Sequence, residues 1–298
     1  SNVPQCALAI EEVFARAGFP AGAFLNLTIT GPQAETVIAD PRIHAVTLTG
    51  SEAAGRRVAA AAGAALKKTV LELGGSDAFV VLEDADLDWA ASQGVASRYL
   101  NGGQSCIAAK RFILVEAVAD AFIQRFRDQT VALKQGDPRE PQIRLGPMAR
   151  ADLREELHAQ VQDALGKGAT AVCGCKPRPG PGFFYEASML DRVTPGMRAY
   201  GEELFGPVAI VLRAKDAEDA LRLANDHRYG LGGSVWTRDP GKGEQFALRM
   251  ECGAVFVNGM VKSDSRLPFG GIKASGYGRE LSLLGIREFV NAKTVWIK

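Results

Sequence analysis

The chain has 298 residues, of which 47% are hydrophobic and 23% charged, and its formal net charge is +1. This composition is that of an ordinary globular protein, and the charge gives no electrostatic reason to expect nucleic acid or an anionic membrane as a partner. The five cysteines are scattered and odd in number, which favours a reducing, cytoplasmic setting over a disulfide framework. Cys173 and Cys175 lack further ligands nearby in the sequence, so no metal site is predicted.

Helix and strand patterns alternate along the chain and predict an α/β fold with a parallel sheet covered by helices. Helical spacing of apolar residues predicts helices at 4–17, 31–40, 52–65, 86–100, 117–132, 149–166, 216–225 and 240–249. Apolar runs that fit strands lie at 24–27, 44–48, 69–73, 78–82, 111–115, 208–213, 233–237 and 253–257. Residues 174–186 are rich in Pro and Gly and should form a surface loop. The last segment, 287–298, ends in a strand pattern without a partner in the sequence, which we expect to pair with another subunit.

A candidate nucleophile lies in residues 101–106 (NGGQSC). A thiol near a helix N-terminus can be acidified below its free pKa of about 8.5, and the thiolate is the reactive form. The alternative is a buried structural cysteine, the commoner fate of such a residue. The glycine pair before Cys106 would let a ligand approach the backbone closely, which favours the functional interpretation.

A candidate base lies in residues 71–75 (LELGG), where Glu72 ends an apolar strand. A carboxylate in such a strand is costly unless it is paired or used, and a raised pKa would suit a general base. The alternative is a glutamate that faces solvent at the end of its strand. Sequence alone leaves both interpretations open at this position.

Three other segments have the pattern of ligand-binding turns. In residues 46–55 (VTLTGSEAAG), a strand leads through Gly50 and Ser51 into a helix, whose N-terminus suits a phosphate; a serine-capped helix without a ligand fits the spacing better. Residues 202–207 (EELFGP) form either a ligand edge or a solvated turn. Residues 268–280 (PFGGIKASGYGRE) are glycine-rich and predict a tight loop with close backbone approaches.

In chain order, the five segments are 46–55, 71–75, 101–106, 202–207 and 268–280. Together they resemble the aldehyde dehydrogenase superfamily along the whole chain. The resemblance implies that Cys106 attacks an aldehyde to give a thiohemiacetal and, after hydride transfer to NAD or NADP, a thioester that Glu72 hydrolyses by activating water. The backbone N–H of Cys106 would be one donor to the oxyanion. The resemblance implies these cofactor contacts: Glu203 at the nicotinamide ribose, Phe205 near the nicotinamide, Gly50 and Ser51 at the pyrophosphate, Leu73 beside them, and Ser1, whose small side chain leaves room for the 2′-phosphate of NADP.

Residues 72–88, 100–114, 275–281 and 285–296 are similar to the succinate-semialdehyde dehydrogenases of bacteria, which implies a small aldehyde bearing a carboxylate. Arginine or a set of hydroxyls recognises a carboxylate. The candidates are Arg98, Ser263, Ser265 and Arg266, with Phe269 at the substrate entrance. Better-known members carry an arginine six residues before the nucleophile, where this chain has Leu100, so other small aldehydes remain an alternative.

The resemblance also implies a domain organisation. Residues 1–73 would be the remainder of a Rossmann-type cofactor domain, 74–257 an α/β catalytic domain, 258–282 a return to the cofactor domain, and 283–298 the oligomerisation arm of a homodimer or homotetramer. Members of the family have a longer N-terminal segment that includes an oxyanion-hole asparagine, and losing one such donor costs about 10²–10³ in rate. We therefore expect the 298-residue chain to be inactive or barely active by itself.

Two other classes of protein are alternatives to an active dehydrogenase. One is an inactive relative with a structural role, against which the retained Cys106 and Glu72 argue. The other is a thiol-dependent hydrolase or acyltransferase without hydride transfer, against which the EELFGP segment argues. Because the CoA-acylating members of the superfamily normally lack a base at the position of Glu72, hydrolysis of the thioester is the expected outcome.

Overall fold

A computed structural model describes residues 3–298, and the contacts among residues divide the chain into two compact units. The first unit comprises the chain up to residue 46 together with 57–68, and the second comprises 47–56 and 69–298. The predicted domain boundaries follow expected cofactor and catalytic roles rather than contact density, and they stay predictions.

The helices and strands alternate through residues 3–298 much as the sequence predicts. The α-helices are α1 (Pro4–Arg16), α2 (Gly31–Ala39), α3 (Glu52–Ala64), α4 (Leu87–Tyr99), α5 (Glu116–Val131), α6 (Ala151–Gly166), α7 (Arg198–Gly201), α8 (Ala217–Asn225), α9 (Pro240–Arg249) and α10 (Ser282–Glu288). The strands are β1 (Ala45–Thr49), β2 (Lys68–Glu72), β3 (Asp77–Val81), β4 (Ala109–Val115), β5 (Thr170–Cys173), β6 (Ser188–Asp191), β7 (Val208–Ala214), β8 (Tyr229–Gly230), β9 (Gly232–Trp236), β10 (Ala254–Val257), β11 (Ile272–Lys273) and β12 (Gly276–Tyr277).

In the first unit, the apolar run at 24–27 forms no strand. Its first residue, Phe24, stacks on Phe14 of α1 with ring centroids 4.9 Å apart, while Leu25 and Leu27 remain exposed. The strand suggested by this run is therefore wrong, because its aromatic member packs against a helix instead of entering a sheet.

The second unit is built on a seven-stranded sheet in the order β10-β9-β3-β4-β7-β6-β5. Neighbouring strands are parallel except at one edge, where β5 is antiparallel to β6. Helices connect the parallel strands, as a β-strand that must return to the same end of the sheet requires. The predicted α/β fold with a mainly parallel sheet is confirmed.

Alternate residues of the central strands enter two different hydrophobic clusters, one on each face of the sheet. In β3, Ala78 and Val80 belong to one cluster and Phe79 and Val81 to the other. Helices α6 to α9 cover the first face, and α4 and α5 cover the second. Burial on both faces explains why these strands are almost continuously apolar.

A smaller sheet of the second unit carries the segment around Glu72. Its order is β1-β2-β12, and β12 runs antiparallel to β2 with Gly276 opposite Glu72 and Tyr277 opposite Leu71. A further antiparallel pair joins β11 to β8. The glycine-rich segment 268–280, which contains β11 and β12, therefore folds against the strand that ends at Glu72.

Some elements were not predicted or differ from prediction. The short elements β5, β6 and α7 escaped sequence analysis, whereas the Pro- and Gly-rich stretch 174–186 is a loop, as predicted. Residues 291–298 carry neither helix nor strand, so the strand pattern at the end of the chain has no partner among the described residues. Its pairing with another subunit stays a prediction. Among residues 3–298, no helix combines the length and apolar character needed to cross a membrane.

Candidate functional site

Cys106 lies in a turn between the 3-10 helix Leu100–Gly103 and strand β4. Gly103 has a φ of 72°, and a Cβ there would come within 2.2 Å of the carbonyl oxygen of Gly206. Only glycine tolerates that approach. The sequence suggested glycine as a means of admitting a ligand; at Gly103 the approaching group is the chain's own backbone.

The thiol of Cys106 is partly buried, and burial is the main reason that its pKa is raised. The ammonium group of Lys110 lowers the pKa of this thiol, whereas the carboxyl groups of Asp77 and Glu203 raise it. The predicted acidification at a helix N-terminus is wrong, because Cys106 precedes a strand rather than a helix.

Cys106 lies in residues 104–108, which we call the nucleophile turn. Lys110 packs against this turn, and its side chain is fully buried. Its Nζ donates to the carbonyls of Ser105 and Cys106 at 2.9 Å each and forms an ion pair of 3.3 Å with Oε1 of Glu203. Sequence analysis did not single out this lysine. The available signal was a charged residue within the apolar run of β4, which is costly unless its charge is compensated.

Glu72 is the last residue of β2 and is only 3% exposed. Neither carboxyl oxygen has a hydrogen-bond partner among the described residues. Burial raises the pKa of Glu72 to about 8, the charge of Glu280 raises it too, and Arg279 opposes them. The solvent-facing alternative is thus wrong, and the pKa is raised because an unpaired carboxylate loses its hydration on burial. A role as general base stays a prediction.

Gly74 and Gly75 lie close to both the nucleophile turn and Glu203. The Gly75 N–H donates to Oε1 of Glu203 at 3.1 Å, and a Cβ on Gly75 would lie 2.7 Å from the carbonyl oxygen of Cys106. A Cβ on Gly74 would lie 2.5 Å from Oε2 of Glu203. The segment that begins with Glu72 therefore passes between the nucleophile turn and Glu203, and side chains at its two glycines would displace both.

The glycine-rich segment 268–280 closes over this arrangement. A Cβ on Gly270 would lie 2.7 Å from Oε1 of Glu72. Ser275 is completely buried, and its hydroxyl donates to the Gly74 carbonyl at 2.7 Å while accepting from the Gly230 N–H at 3.1 Å. The close backbone approaches predicted for this segment are confirmed.

Asp77 is a second buried acid that sequence analysis passed over. Its Oδ1 accepts from the Gly232 N–H at 3.0 Å, and its Oδ2 has no partner among the described residues. Burial raises the pKa of Asp77 to about 6, and the charge of Lys110 opposes that rise. Lys110 thus faces two acids and a thiol.

The predicted pyrophosphate-binding residues lie at the start of α3. The Gly50 N–H donates to the Glu72 carbonyl at 3.0 Å, so this turn is tied to the strand that carries the candidate base. The Ser51 hydroxyl accepts from the Ala54 N–H at 3.3 Å, which is a helix cap. Capping was the alternative interpretation of Ser51, and it accounts for this contact; a pyrophosphate contact stays a prediction.

The other predicted cofactor residues differ in accessibility. Leu73 is buried, and a Cβ on Gly55 would come within 2.5 Å of its side chain. Phe205 is 37% exposed, between the buried residues Leu204 and Gly206. Ser1 lies outside the described residues.

Arg98, predicted to bind a substrate carboxylate, is completely buried. Its guanidinium donates to the carbonyls of Gly103 at 2.7 Å, Gly206 at 2.8 Å and Ala109 at 3.1 Å. The prediction is wrong, because a side chain without exposed surface whose terminal nitrogens are bound to backbone oxygens cannot reach a substrate. Arg98 instead joins the segment before Cys106 to the EELFGP turn.

The remaining substrate candidates lie on the loop before β11. Ser263, Ser265 and Arg266 are exposed, and Arg266 forms an ion pair of 2.6 Å with Asp264. Phe269 is half-buried and pairs through its backbone with Glu280. The substrate roles of these four residues stay predictions.

The site combines a partly buried thiol, a glutamate held by a buried lysine, and a carboxyl group that is buried without a hydrogen-bond partner among the described residues. The thiol precedes β4 of the seven-stranded sheet, and the carboxyl group ends β2 of the smaller sheet. Together these groups define an α/β protein equipped for nucleophilic chemistry. The aldehyde dehydrogenase family model matches residues 1–295. The chain therefore belongs to the aldehyde dehydrogenase family.

Individual relatives have similar sequences and structures. The chain is 52% identical over 297 residues to succinate-semialdehyde dehydrogenase (NADP+) 1 of Mycobacterium ulcerans, with 100% of this chain and 65% of the relative covered. It is 52% identical to succinate semialdehyde dehydrogenase (NAD(P)+) Sad of Escherichia coli, with 99% and 64% covered. A crystal structure of succinic semialdehyde dehydrogenase from Streptococcus pyogenes with NADP+ superposes with a TM-score of 0.97 at 40% identity, covering 99% of this chain and 65% of that one. The chain thus spans about two thirds of the length of these relatives.

Proposed function

We propose that this protein oxidises succinate semialdehyde, a small aldehyde bearing a carboxylate, to the dicarboxylic acid with NADP or NAD as the hydride acceptor. The observation that carries the proposal is Glu72, a buried carboxyl group whose oxygens have no hydrogen-bond partner among the described residues, on the segment that passes the nucleophile turn. The names of the relatives at about half identity support the substrate and the cofactor.

Each step of the reaction has a residue suited to it. The thiolate of Cys106 adds to the aldehyde carbon and forms the thiohemiacetal as its alkoxide. Loss of hydride from the carbon of that alkoxide would leave a thioester on Cys106. Glu72 then accepts a proton from a water molecule whose oxygen attacks the thioester carbon, and the tetrahedral intermediate expels the Cys106 thiolate and releases the carboxylic acid. A base with a pKa of about 8 is better suited to this proton transfer than an ordinary carboxylate.

Glu203 and Phe205 offer a surface that fits a nicotinamide ribose. Glycine at position 74 leaves space beside Oε2 of Glu203, because a Cβ there would lie only 2.5 Å away. Lys110 and the Gly75 N–H hold Oε1, so the second oxygen is the one left for a ribose hydroxyl. When bound, the cofactor supplies the acceptor for the hydride.

The substrate carboxylate would meet the loop that carries Ser263, Ser265 and Arg266, with Phe269 lining the entrance. The guanidinium of Arg266 is already paired with the carboxylate of Asp264. The hydroxyls of Ser263 and Ser265 are therefore the donors on this loop that are not engaged in an ion pair and could bind the substrate carboxylate. Other small aldehydes remain the alternative for this site. An inactive structural relative is disfavoured, because it would have no reason to keep an unpaired buried acid.

We further infer a homodimer or homotetramer in the cytoplasm. The support is a reactive free thiol, which needs a reducing compartment, and a C-terminal segment whose Val295, Trp296 and Ile297 are 70%, 86% and 89% exposed. Light scattering should give a multiple of the chain mass that drops on deletion of residues 291–298. An unchanged assembly after the deletion would remove the arm from the proposal.

The decisive experiment begins with the intact mass of the protein from its native source, compared with that of the 298 residues, so that the assay uses the protein as it is made. Reduction of NADP and NAD is then followed with succinate semialdehyde, acetaldehyde and betaine aldehyde. We expect the largest kcat/KM for succinate semialdehyde and its loss in Cys106→Ser, but not in Cys173→Ser, another partly buried thiol. A higher kcat/KM for either other aldehyde would overturn the substrate, and activity in Cys106→Ser would overturn the mechanism.

A further inference from the structure

The ammonium group of Lys110 is the centre of the nucleophile turn. It donates to three carbonyls of that turn, those of Ser105 and Cys106 at 2.9 Å and of Ala108 at 3.2 Å. Carbonyl dipoles that converge on one cation are stabilised by its charge. Cys106 is the middle of these three residues, so the hydrogen bonds of Lys110 hold the backbone on both sides of the thiol.

The same ammonium group reaches across to a different segment of the chain. Its ion pair with Glu203 spans 3.3 Å, and the side chain of Glu203 is only 17% exposed. The other contact of that carboxylate oxygen is the Gly75 N–H. Removing the lysine would leave Glu203 largely buried without its ion-pair partner, which favours its rearrangement or protonation.

We propose that Lys110 is a positioning residue that joins the nucleophile to the cofactor-binding carboxylate, so that one buried ammonium group sets both the reactivity of the Cys106 thiol and the placement of Glu203. The assignment of Glu203 to the cofactor rests on the proposed function. The contact of Lys110 with the nucleophile turn does not, because it consists of hydrogen bonds within the chain.

The charges around the thiol explain why the lysine affects its reactivity. Asp77 and Glu203 both disfavour the thiolate, and Lys110 is the cation that opposes them. Burial lowers the pKa of Lys110, and the charge of Arg98 adds to this, whereas Glu203 and Asp77 oppose it by favouring the charged ammonium form. Without the ammonium group, the thiol would face burial and two acids with no opposing charge.

Arg111 supplies a matched comparison one residue further along β4. It is also buried and also binds three carbonyls, those of Ser76, Leu223 and Ala224. None of these belongs to the nucleophile turn. A buried cation that only stabilises the fold should therefore behave like Arg111 when it is replaced.

The test measures the rate of alkylation of Cys106 by iodoacetamide as a function of pH, with the modified peptide quantified by mass spectrometry. Lys110→Met removes the charge, Lys110→Gln removes it while keeping a donor, Lys110→Arg keeps it, and Arg111→Met is the control. In both neutral variants we expect the pH midpoint to move upward and the rate at neutral pH to fall about tenfold, which corresponds to about one pKa unit. Lys110→Arg should restore most of the rate, and Arg111→Met should leave the midpoint in place.

Circular dichroism and thermal melting identify variants that fold, and if Lys110→Met does not, Lys110→Gln carries the comparison. An unmoved midpoint in the folded neutral variant would overturn the proposal, as would an equal shift in Arg111→Met. Cofactor titration is a separate arm, in which the neutral variants should bind NADP more weakly than Lys110→Arg does. If the unsubstituted protein bound no cofactor, the proposed function would fail while the alkylation result still decided the role of Lys110.

Discussion

Glu72 and Glu203 are two glutamates near the same glycine pair, Gly74 and Gly75, yet their surroundings differ. Glu203 has an ammonium partner at 3.3 Å and a backbone N–H at 3.1 Å. Glu72 has no partner for either oxygen among the described residues. Glu203 therefore has a buried lysine as its ion-pair partner, whereas Glu72 is buried without a hydrogen-bond partner among the described residues.

This difference separates two chemical tasks. An acid in an ion pair keeps its charge and its position, which suits a group that binds a hydroxyl. A buried acid without a partner binds a proton more tightly, which suits a group that must take one from water. Two glutamates that look equivalent in the sequence can thus act as a fixed ligand and as a base.

Glu72→Gln keeps the shape of the side chain and removes the proposed base. We expect hydrolysis of the thioester to slow by about 10²–10⁴-fold, while formation of the thioester continues as a burst of reduced nicotinamide. In the unsubstituted protein, hydrolysis should rise with pH through about 8, since Glu72 must lose its proton to act, and this rise should vanish in the variant. Stopped-flow kinetics and intact mass spectrometry of the acyl-enzyme measure both.

Glu203→Gln is the matched control for that experiment, because it alters the other acid. Loss of thioester hydrolysis in Glu203→Gln but not in Glu72→Gln would reverse the two assignments. A steady turnover without accumulated acyl-enzyme in Glu72→Gln would remove Glu72 from catalysis.

The space around Glu72 can be tested through Gly270. Its φ is 157°, and a Cβ would lie 2.7 Å from both Oε1 of Glu72 and the carbonyl oxygen of Gly278. We expect Gly270→Ala to lower the free energy of unfolding by about 3 kcal/mol and to reduce turnover. Gly63→Ala is the control, since nothing lies within 4 Å of a Cβ in that helical position, and it should raise stability by about 0.5–1 kcal/mol. Equal stability in the two variants, measured by chemical denaturation, would show that the glycine is not required by its neighbours.

Sequence reasoning found the elements whose signal is periodic or repeated. The strands of the parallel sheet were visible because burial on both faces makes them continuously apolar, and Cys106 and Glu72 were visible as reactive residue types beside glycine. Strands β5 and β6 escaped, because four residues in a Gly- and Pro-rich region carry too little pattern.

What sequence could not show is the direction in which a charged side chain points. Arg98 looked available for a substrate, but its two terminal nitrogens are bound to backbone carbonyls. Lys110 gave no sign in the sequence of its contact with the turn that carries Cys106, yet its ammonium group donates to the Cys106 carbonyl. Both outcomes depend on contacts between residues far apart in sequence, such as Arg98 with Gly206 and Lys110 with Glu203, which no local pattern records.

Because burial raises the pKa of Glu72, the free energy of unfolding should depend on pH. Its pKa is about 8 in the folded chain and 4.5 for an ordinary glutamate. Between these two values the unfolded chain has lost the proton that the folded chain retains, so stability falls as pH rises through this window and levels off above it. We expect this contribution to change by about 3 kcal/mol between pH 5 and pH 8 and to be absent in Glu72→Gln. Urea denaturation across that range measures it, and parallel stability curves for the two proteins would contradict it.

The smallest expected effect concerns the paired acid. Glu203→Gln keeps an acceptor for the Gly75 N–H and removes the charge beside Lys110, so we expect NADP to bind about tenfold more weakly, with little change in thioester hydrolysis. Glu202→Gln is the control, because the adjacent glutamate is paired with Arg198 instead. Fluorescence titration of the cofactor compares them. Equal affinity in the two variants would mean that the ion pair with Lys110 only stabilises the turn, and the contrast between a ligand-binding and a proton-accepting glutamate would then rest on Glu72 alone.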